Sequence, residues 1–218
     1  MKENQRKIGI MGGAFDPIHY GHLLIAENAA AQYGLDQVVF MPTGQSPHKA
    51  KRHITDASYR CEMIRQAIAD NPKFCLSTLE LDLSGTNYTY RTLEHWKEQH
   101  PKDKLYFIMG GDSLKDFETW RYPDRILQAA YLLAAIRDDV EGTVFQEQIA
   151  YLRERYQTEY IFALNTPNFA VSSHRIRSLT EQGQTIRYMV PEPVREYILA
   201  HGLYDRKTGM NNNETIRD

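Results

Sequence analysis

Two histidines three residues apart close the string Gly12-Gly13-Ala14-Phe15-Asp16-Pro17-Ile18-His19-Tyr20-Gly21-His22, which directly follows the apolar run Ile8–Met11. At the start of a helix, that spacing puts both imidazoles on one face. They then lie at the positive end of the helix, where a phosphate is well held. Imidazole N–H groups that donate to a phosphoryl group as charge builds in the transition state act as electrostatic catalysts. Gly12-Gly13 lets a ligand approach the backbone closely, although the string is neither a Walker loop nor GxGxxG. Taken alone, an HxxH pair more often caps a helix or packs in a core. A zinc reading lacks a third and fourth ligand at a fitting spacing, so no protein-held metal is expected.

Other groups with possible chemistry recur after later apolar runs. Lys49, Lys51 and Arg52 stand in a stretch with no acidic residue between Pro42 and Thr55. Such a loop can close over phosphates, or it is a solvated charge run. Thr86 or Asn87 can cap a helix beginning near Tyr88 and Thr89, whose free amides would face a ligand carboxylate or serve only the helix. Asp112, after Gly110-Gly111, suits paired ribose hydroxyls but can equally be a cap. Trp120 offers a flat partner for a heteroaromatic ring, though most tryptophans simply pack. Ser172 or Ser173 can cap the helix that Gly183 ends, with Ile176 turned inward. Arg175 and Arg177 then oppose the helix dipole, a small penalty that a bound anion would reverse.

Short apolar runs at Ile8–Met11, Val38–Met41, Phe74–Leu79, Leu105–Met109, Tyr131–Ile136 and Tyr160–Leu164 are continuous rather than alternating, as in strands buried on both faces. Helical patterns separate them, at about His22–Tyr33, Ala57–Ile68 (with Thr55 or Asp56 as cap), Tyr90–Gln99, Pro123–Ala129, Gln146–Tyr156, Ser173–Gln182 and Val194–His201. This alternation predicts an α/β fold, a doubly wound parallel sheet with helices on both faces in a single domain. Ligands of such sheets bind beyond the carboxyl ends of the strands, where every group named above falls. Residues 7–205 are read as the domain, 1–6 as a polar extension and 206–218 as a flexible polar tail.

The eleven-residue string resembles the GGxFDPxHxGH signature of the nucleotidylyltransferase superfamily, and specifically that of the bacterial nicotinate-nucleotide adenylyltransferases. Pro42-x-x-x-x-Pro47-His48-Lys49 is similar to the family's second motif, with Ser46 where proline is frequent. Tyr88-Thr89, Gly110-Gly111-Asp112 with Trp120, and Ser172-Ser173-His174-Arg175-Ile176-Arg177 follow in the family's order, with His174 where threonine is common. Arg137 falls where the family shows Arg-Pro-Gly, but Asp138 and Asp139 follow it here.

The resemblance spans Ile8 to about Tyr204 and implies a Rossmann-like domain that condenses ATP with nicotinate mononucleotide. The products would be deamido-NAD and pyrophosphate. It implies catalytic roles for His19, His22, Lys49 and Arg177, and ATP contacts from Gly12, Gly13, Phe15, His19, His22, Ser172, Ser173, Ile176 and Arg177. Nicotinate mononucleotide would meet Ala14, Asp16, Lys49, Tyr88, Thr89, Asp112, Trp120 and Arg137. Mg²⁺ is expected with the triphosphate, through water and phosphate oxygens. Phosphopantetheine adenylyltransferases and cytidylyltransferases share the histidine chemistry but lack the combined set, and a noncatalytic nucleotide sensor could share the fold.

Composition narrows the remaining classes. The 218 residues are 42% hydrophobic and 25% charged, with Lys+Arg 26 against Asp+Glu 28 and a formal net charge of −2. That balance gives no basic field for bulk nucleic-acid or membrane-surface binding. Cys61 and Cys75 form no CxxC or ligand spacing, so a disulfide scaffold is excluded and a reducing, cytoplasmic setting is expected. The polar start and the short apolar runs argue against a signal peptide or membrane helix. A homodimer is a possibility at this size.

Overall fold

The computed structural model describes residues 5–44, 54–83, 85, 87–137, 142–167 and 169–205. The six apolar runs form β1 (Lys7–Gly13), β2 (Gln37–Pro42), β3 (Phe74–Leu76), β4 (Lys104–Gly110), β5 (Tyr131–Arg137) and β6 (Ile161–Thr166). They pair in parallel in the order β3-β2-β1-β4-β5-β6. Alternate side chains leave on opposite faces, and both faces are covered, which is why the runs are continuously apolar. Met11, Val38, Phe40, Tyr106, Ile108 and Leu133 pack under α1 (Tyr20–Tyr33), α2 (Ala57–Ile68), α8 (Ser173–Glu181) and α9 (Glu192–Ala200). Ile8, Ile10, Val39, Leu105, Phe107 and Leu132 face α4 (Thr89–Gln99), α6 (Pro123–Ala129) and α7 (Gly142–Tyr156).

Three short turns escape a periodicity argument because they are less than two turns long. These are α3 (Leu79–Asp82), α5 (Gly111–Lys115) and a 3₁₀ turn at Phe117–Thr119. The expected strand Phe74–Leu79 therefore stops at Leu76. After a last bond from the Ser77 N–H to the Phe40 carbonyl (3.0 Å), the chain turns at Thr78 into α3. Helix α1 starts two residues earlier than expected, which makes His19 its N-cap and His22 its third residue.

The unpaired edge of β6 is closed by helix side chains instead of a seventh strand. Arg153 Nε donates to the Ile161 carbonyl (2.9 Å), Tyr33 Oη to that of Ala163 (2.5 Å), and the Gln32 amide donates to the Asn165 carbonyl and accepts its N–H (2.6 and 3.2 Å). Such cover protects an edge from pairing with another chain. At the amino ends of the central strands β1 and β4, Arg6 makes two hydrogen bonds to the Asp103 carboxylate (3.2 and 3.1 Å). Among the described residues no helix is long and apolar enough to cross a membrane. The tail from residue 206 lies outside the described residues.

Candidate active site

Strand order reverses between β1 and β4, so the connections leaving Gly13 and Gly110 go to opposite faces and open a crevice. A cavity of about 850 Å³ fills it, lined among others by Gly12, His19, Gly21, His22, Gly110, Gly111, Asp112, Trp120, Phe145, Phe169, Ser172 and Ser173. A second cavity, of about 390 Å³, is lined by Thr43, Glu80, Asn87, Tyr88, Thr89, Asp116 and Arg121. The two share Gly12, Phe107, Asp112, Ser113 and Trp120 and so meet along one wall. Gly111 is required by packing there, since a Cβ would fall 2.7 Å from Phe145 Cε2 and 3.0 Å from the Ala135 carbonyl oxygen.

The imidazoles of His19 and His22 stack with centroids 3.7 Å apart and planes 23° apart. The backbone N–H of His19 donates to Nδ1 of His22 over 3.2 Å. An amide N–H can only donate, so Nδ1 carries no proton and the ring proton sits on Nε2. His19 is 6% exposed, and burial holds its pKa down to about 4, so it is neutral near pH 7. Neutrality removes the repulsion that two stacked imidazolium ions would suffer. His19 Nδ1 is buried with no hydrogen-bond partner among the described residues, an uncommon state for a buried polar atom. The glycine between the histidines has a geometric cause, because a Cβ at Gly21 would lie 3.0 Å from His19 Cε1 and Nδ1.

The start of helix α8 forms one wall of the larger cavity, through Ser172 and Ser173. Ser172 is its N-cap, its Oγ accepting the Arg175 N–H (3.2 Å), while Ser173 Oγ donates to the Pro17 carbonyl (2.9 Å). The Arg177 guanidinium donates to the Asp16 carbonyl and stands 3.8 Å from the Asp16 carboxylate. That carboxylate is 5% exposed and also accepts the Tyr204 hydroxyl (2.7 Å) and the Thr55 N–H (3.4 Å). Burial, then the Asp16 charge, pushes the Tyr204 phenol upward, so it stays a donor. Arg60, also buried, donates to the carbonyls of Thr55 and Ala14, both at 2.8 Å.

The expected site residues thus divide. Gly12, His19, His22, Ser172 and Ser173 line the larger cavity, Tyr88 and Thr89 the smaller, and Asp112 and Trp120 both. Gly13, Ala14, Phe15, Asp16, Ile176 and Arg177 are not among the described residues lining either. Phe15 and Ile176 are core side chains, 2% and 0% exposed, and leave only their backbone for a ligand. Phe15 holds a left-handed φ of 48° while its ring packs edge-on to His22 at 5.0 Å, a conformation that costs about 1–3 kcal/mol and is kept by that packing. Asp16 and Arg177 brace the loop that carries the histidines. Lys49, Lys51, Arg52, Asp138 and Asp139 lie outside the described residues, as does the side chain of Arg137.

In the smaller cavity the N-cap of α4 is Tyr88, not Thr86 or Asn87, and it makes no side-chain capping bond. Thr86 lies outside the described residues, and the Asn87 amide donates instead to the Glu80 carbonyl. Trp120 is half-buried, set edge-on to Phe107 at 6.0 Å and tilted against Phe117 at 5.8 Å. Thr43 Oγ1 is buried with no hydrogen-bond partner among the described residues. Sequence reasoning missed Thr43, Glu80, Phe145 and Phe169 in the walls, and Arg60 and Tyr204 in the brace. None of them carries a local signal, because each acts through a neighbour distant in sequence.

Comparison with known proteins places the chain in a family. Residues 10–179 match the cytidylyltransferase-like family model. A protein of Lachnoclostridium phytofermentans named probable nicotinate-nucleotide adenylyltransferase is 41% identical over 199 residues, 91% of this chain and 99% of its own. One of the same name from a Thermoanaerobacter species is 40% identical over 205 residues, 94% and 97% of the two chains. The fold is that of Plasmodium falciparum nicotinic acid mononucleotide adenylyltransferase, solved in complex with NaAD, with a TM-score of 0.75 and 20% identity over 92% of this chain and 98% of that one. The chain belongs to the cytidylyltransferase-like family and, within it, to the nicotinate-nucleotide adenylyltransferases.

Proposed function

We propose that the protein transfers AMP from ATP to nicotinate mononucleotide by in-line displacement, without a covalent enzyme intermediate. The observation that carries this reading is the pair of adjoining cavities. One holds the stacked histidines and the α8 N-cap; the other holds the first turn of α4 and Trp120. A phosphate oxygen of nicotinate mononucleotide attacks the α-phosphorus of ATP, the bond from that phosphorus to the bridging oxygen breaks, and pyrophosphate leaves. The attacking phosphate is largely anionic near neutral pH, its second pKa being about 6, so no general base is needed. Catalysis is then alignment plus charge stabilisation.

His22 donates through Nε2–H to the α-phosphate, and His19, neutral, contacts the same triphosphate. Lys49 and Arg177 bring positive charge to the β- and γ-phosphates and the leaving pyrophosphate, Arg177 while also bracing the Asp16 loop. The groups around the histidines are nitrogens and hydroxyls suited to phosphate oxygens, so Mg²⁺ would be held by the triphosphate itself and would supply charge neutralisation there. Amide N–H groups at the start of α4 donate to the nicotinate carboxylate, whereas a nicotinamide NH₂ would turn protons toward those donors. Asp112 takes ribose hydroxyls and Trp120 the pyridine ring.

Pyrophosphate release from Mg·ATP with nicotinate mononucleotide, nicotinamide mononucleotide or phosphopantetheine tests the reading. Marked preference for the first, abolished by His22→Ala in a folded variant, is expected. Release with none of the three despite ATP binding would favour a nucleotide sensor, and near-normal turnover by His22→Ala would remove that residue's role.

A further inference from the structure

Glu80 is a buried carboxyl, 7% exposed, in the wall of the smaller cavity, and nothing in the mechanism above uses it. It touches three segments at once. Its Oε1 lies 2.8 Å from Oγ1 of Thr92, on the second turn of α4. Its backbone carbonyl takes the Asn87 amide, one residue before the α4 N-cap. Gly44, two residues past β2, packs so tightly on that carbonyl that a Cβ there would lie 2.9 Å from the oxygen. Thr92 Oγ1 also lies 3.4 Å from the carbonyl of the N-cap Tyr88.

We infer that Glu80 is a positioning residue for the pyridine nucleotide, holding the first turn of α4 through Thr92 and Asn87 so that its amides meet the 3-carboxylate of the ring. The inference rests on the reading that the smaller cavity takes nicotinate mononucleotide. A hydroxyl has one proton, so Thr92 cannot donate to Glu80 and to Tyr88 together. If Glu80 is an acid, it donates to Thr92, and Thr92 is free to donate to the Tyr88 carbonyl. Burial raises the Glu80 pKa, more than the Thr92 bond lowers it, and so favours that acid form. An acid also spares the bound nicotinate carboxylate a like charge in the same wall. Glutamine reproduces the shape and the donated hydrogen bond of the acid, whereas alanine removes both.

The test is steady-state pyrophosphate release by wild-type, Glu80→Gln, Glu80→Ala and Thr92→Val proteins, with KM measured separately for ATP and for nicotinate mononucleotide. Glu80→Ala is expected to raise the KM for nicotinate mononucleotide roughly tenfold, and Thr92→Val by a few-fold to about tenfold, as loss of one well-made hydrogen bond allows. The KM for ATP should stay within about twofold and Glu80→Gln should restore near-wild-type values, a split that general loosening of the fold would not produce. If Glu80→Ala does not fold, Thr92→Val, of unchanged shape, decides. An unchanged KM for nicotinate mononucleotide in Thr92→Val, or equal losses for both substrates, overturns the inference while the reaction stands. Wild-type protein that does not turn over nicotinate mononucleotide overturns the reading beneath it as well.

Discussion

Gly21→Ala should separate folding from catalysis, because two opposing effects of similar size act on stability and only one acts on the site. Gly21 is the second residue of α1, and alanine there gains about 1 kcal/mol of helix propensity. Against this, the new methyl would lie 3.0 Å from Cε1 and Nδ1 of the buried His19 ring, and ordinary contact with the Val171 carbonyl at 3.7 Å adds nothing. Overpacking of this kind costs about 1–3 kcal/mol, so net destabilisation is between nothing and about 2 kcal/mol, or a few degrees in Tm for a domain of this size. The ring must yield by a few tenths of an ångström, and it is stacked on His22 at 3.7 Å, so the shift passes to the residue we propose as donor to the α-phosphate. Since a misplacement of about 1 Å can cost about 100-fold, a shift of a few tenths should lower kcat severalfold to about tenfold while Tm moves by less than about 8 °C. Thermal unfolding paired with pyrophosphate release measures both. Wild-type kcat in a folded variant would refute the account of why glycine stands between the two histidines.

Three further perturbations have defined outcomes. His19 has a pKa of about 4 in the fold against 6.5 in the unfolded chain, so between those values the unfolded chain binds a proton that the native one excludes. Stability should therefore fall by about 3 kcal/mol as pH drops from 6.5 to 4, and urea unfolding of His19→Gln should lack that slope; identical slopes would refute the burial argument. Tyr204→Phe removes the hydroxyl 2.7 Å from the buried Asp16 carboxylate and should cost about 1.5–3 kcal/mol by denaturant unfolding, whereas unchanged stability would show the bond to be idle. Trp120→Ala should raise the KM for nicotinate mononucleotide about tenfold, from a stacking contact of about 1–3 kcal/mol, and alter that for ATP less. Equal effects on both would place the ring in the ATP cavity.

Much of the layout is written locally. The apolar runs are continuous because both faces of a parallel sheet are buried, so strands such as Leu105–Met109 and helices such as Pro123–Ala129 can be located from pattern alone. The loops at their carboxyl ends contain the residues that line the crevice, from Gly12 and the histidines to Ser172. Short pieces are different: α3 and α5 have too few residues for a period, so nothing in the pattern marks Glu80, one residue past the expected strand Phe74–Leu79, as a wall of the smaller cavity.

What the sequence by itself determined was the alternation of strand and helix and which loops carry imidazole, hydroxyl, carboxylate and indole groups, since periodicity and motif spacing report on neighbours along the chain. Tertiary structure alone decided which of those groups face the cavities and which hold them in place. Asp16 and Arg177, 161 positions apart, meet each other, and Tyr204, 188 positions from Asp16, completes the brace. Phe15 and Ile176, within the same motifs as the cavity-lining histidines and serines, turn into the core. Such pairings arise only when the sheet order sets β1 beside β4 and the segment after α9 returns to the loop that follows β1, and burial then fixes which polar groups bind a neighbour.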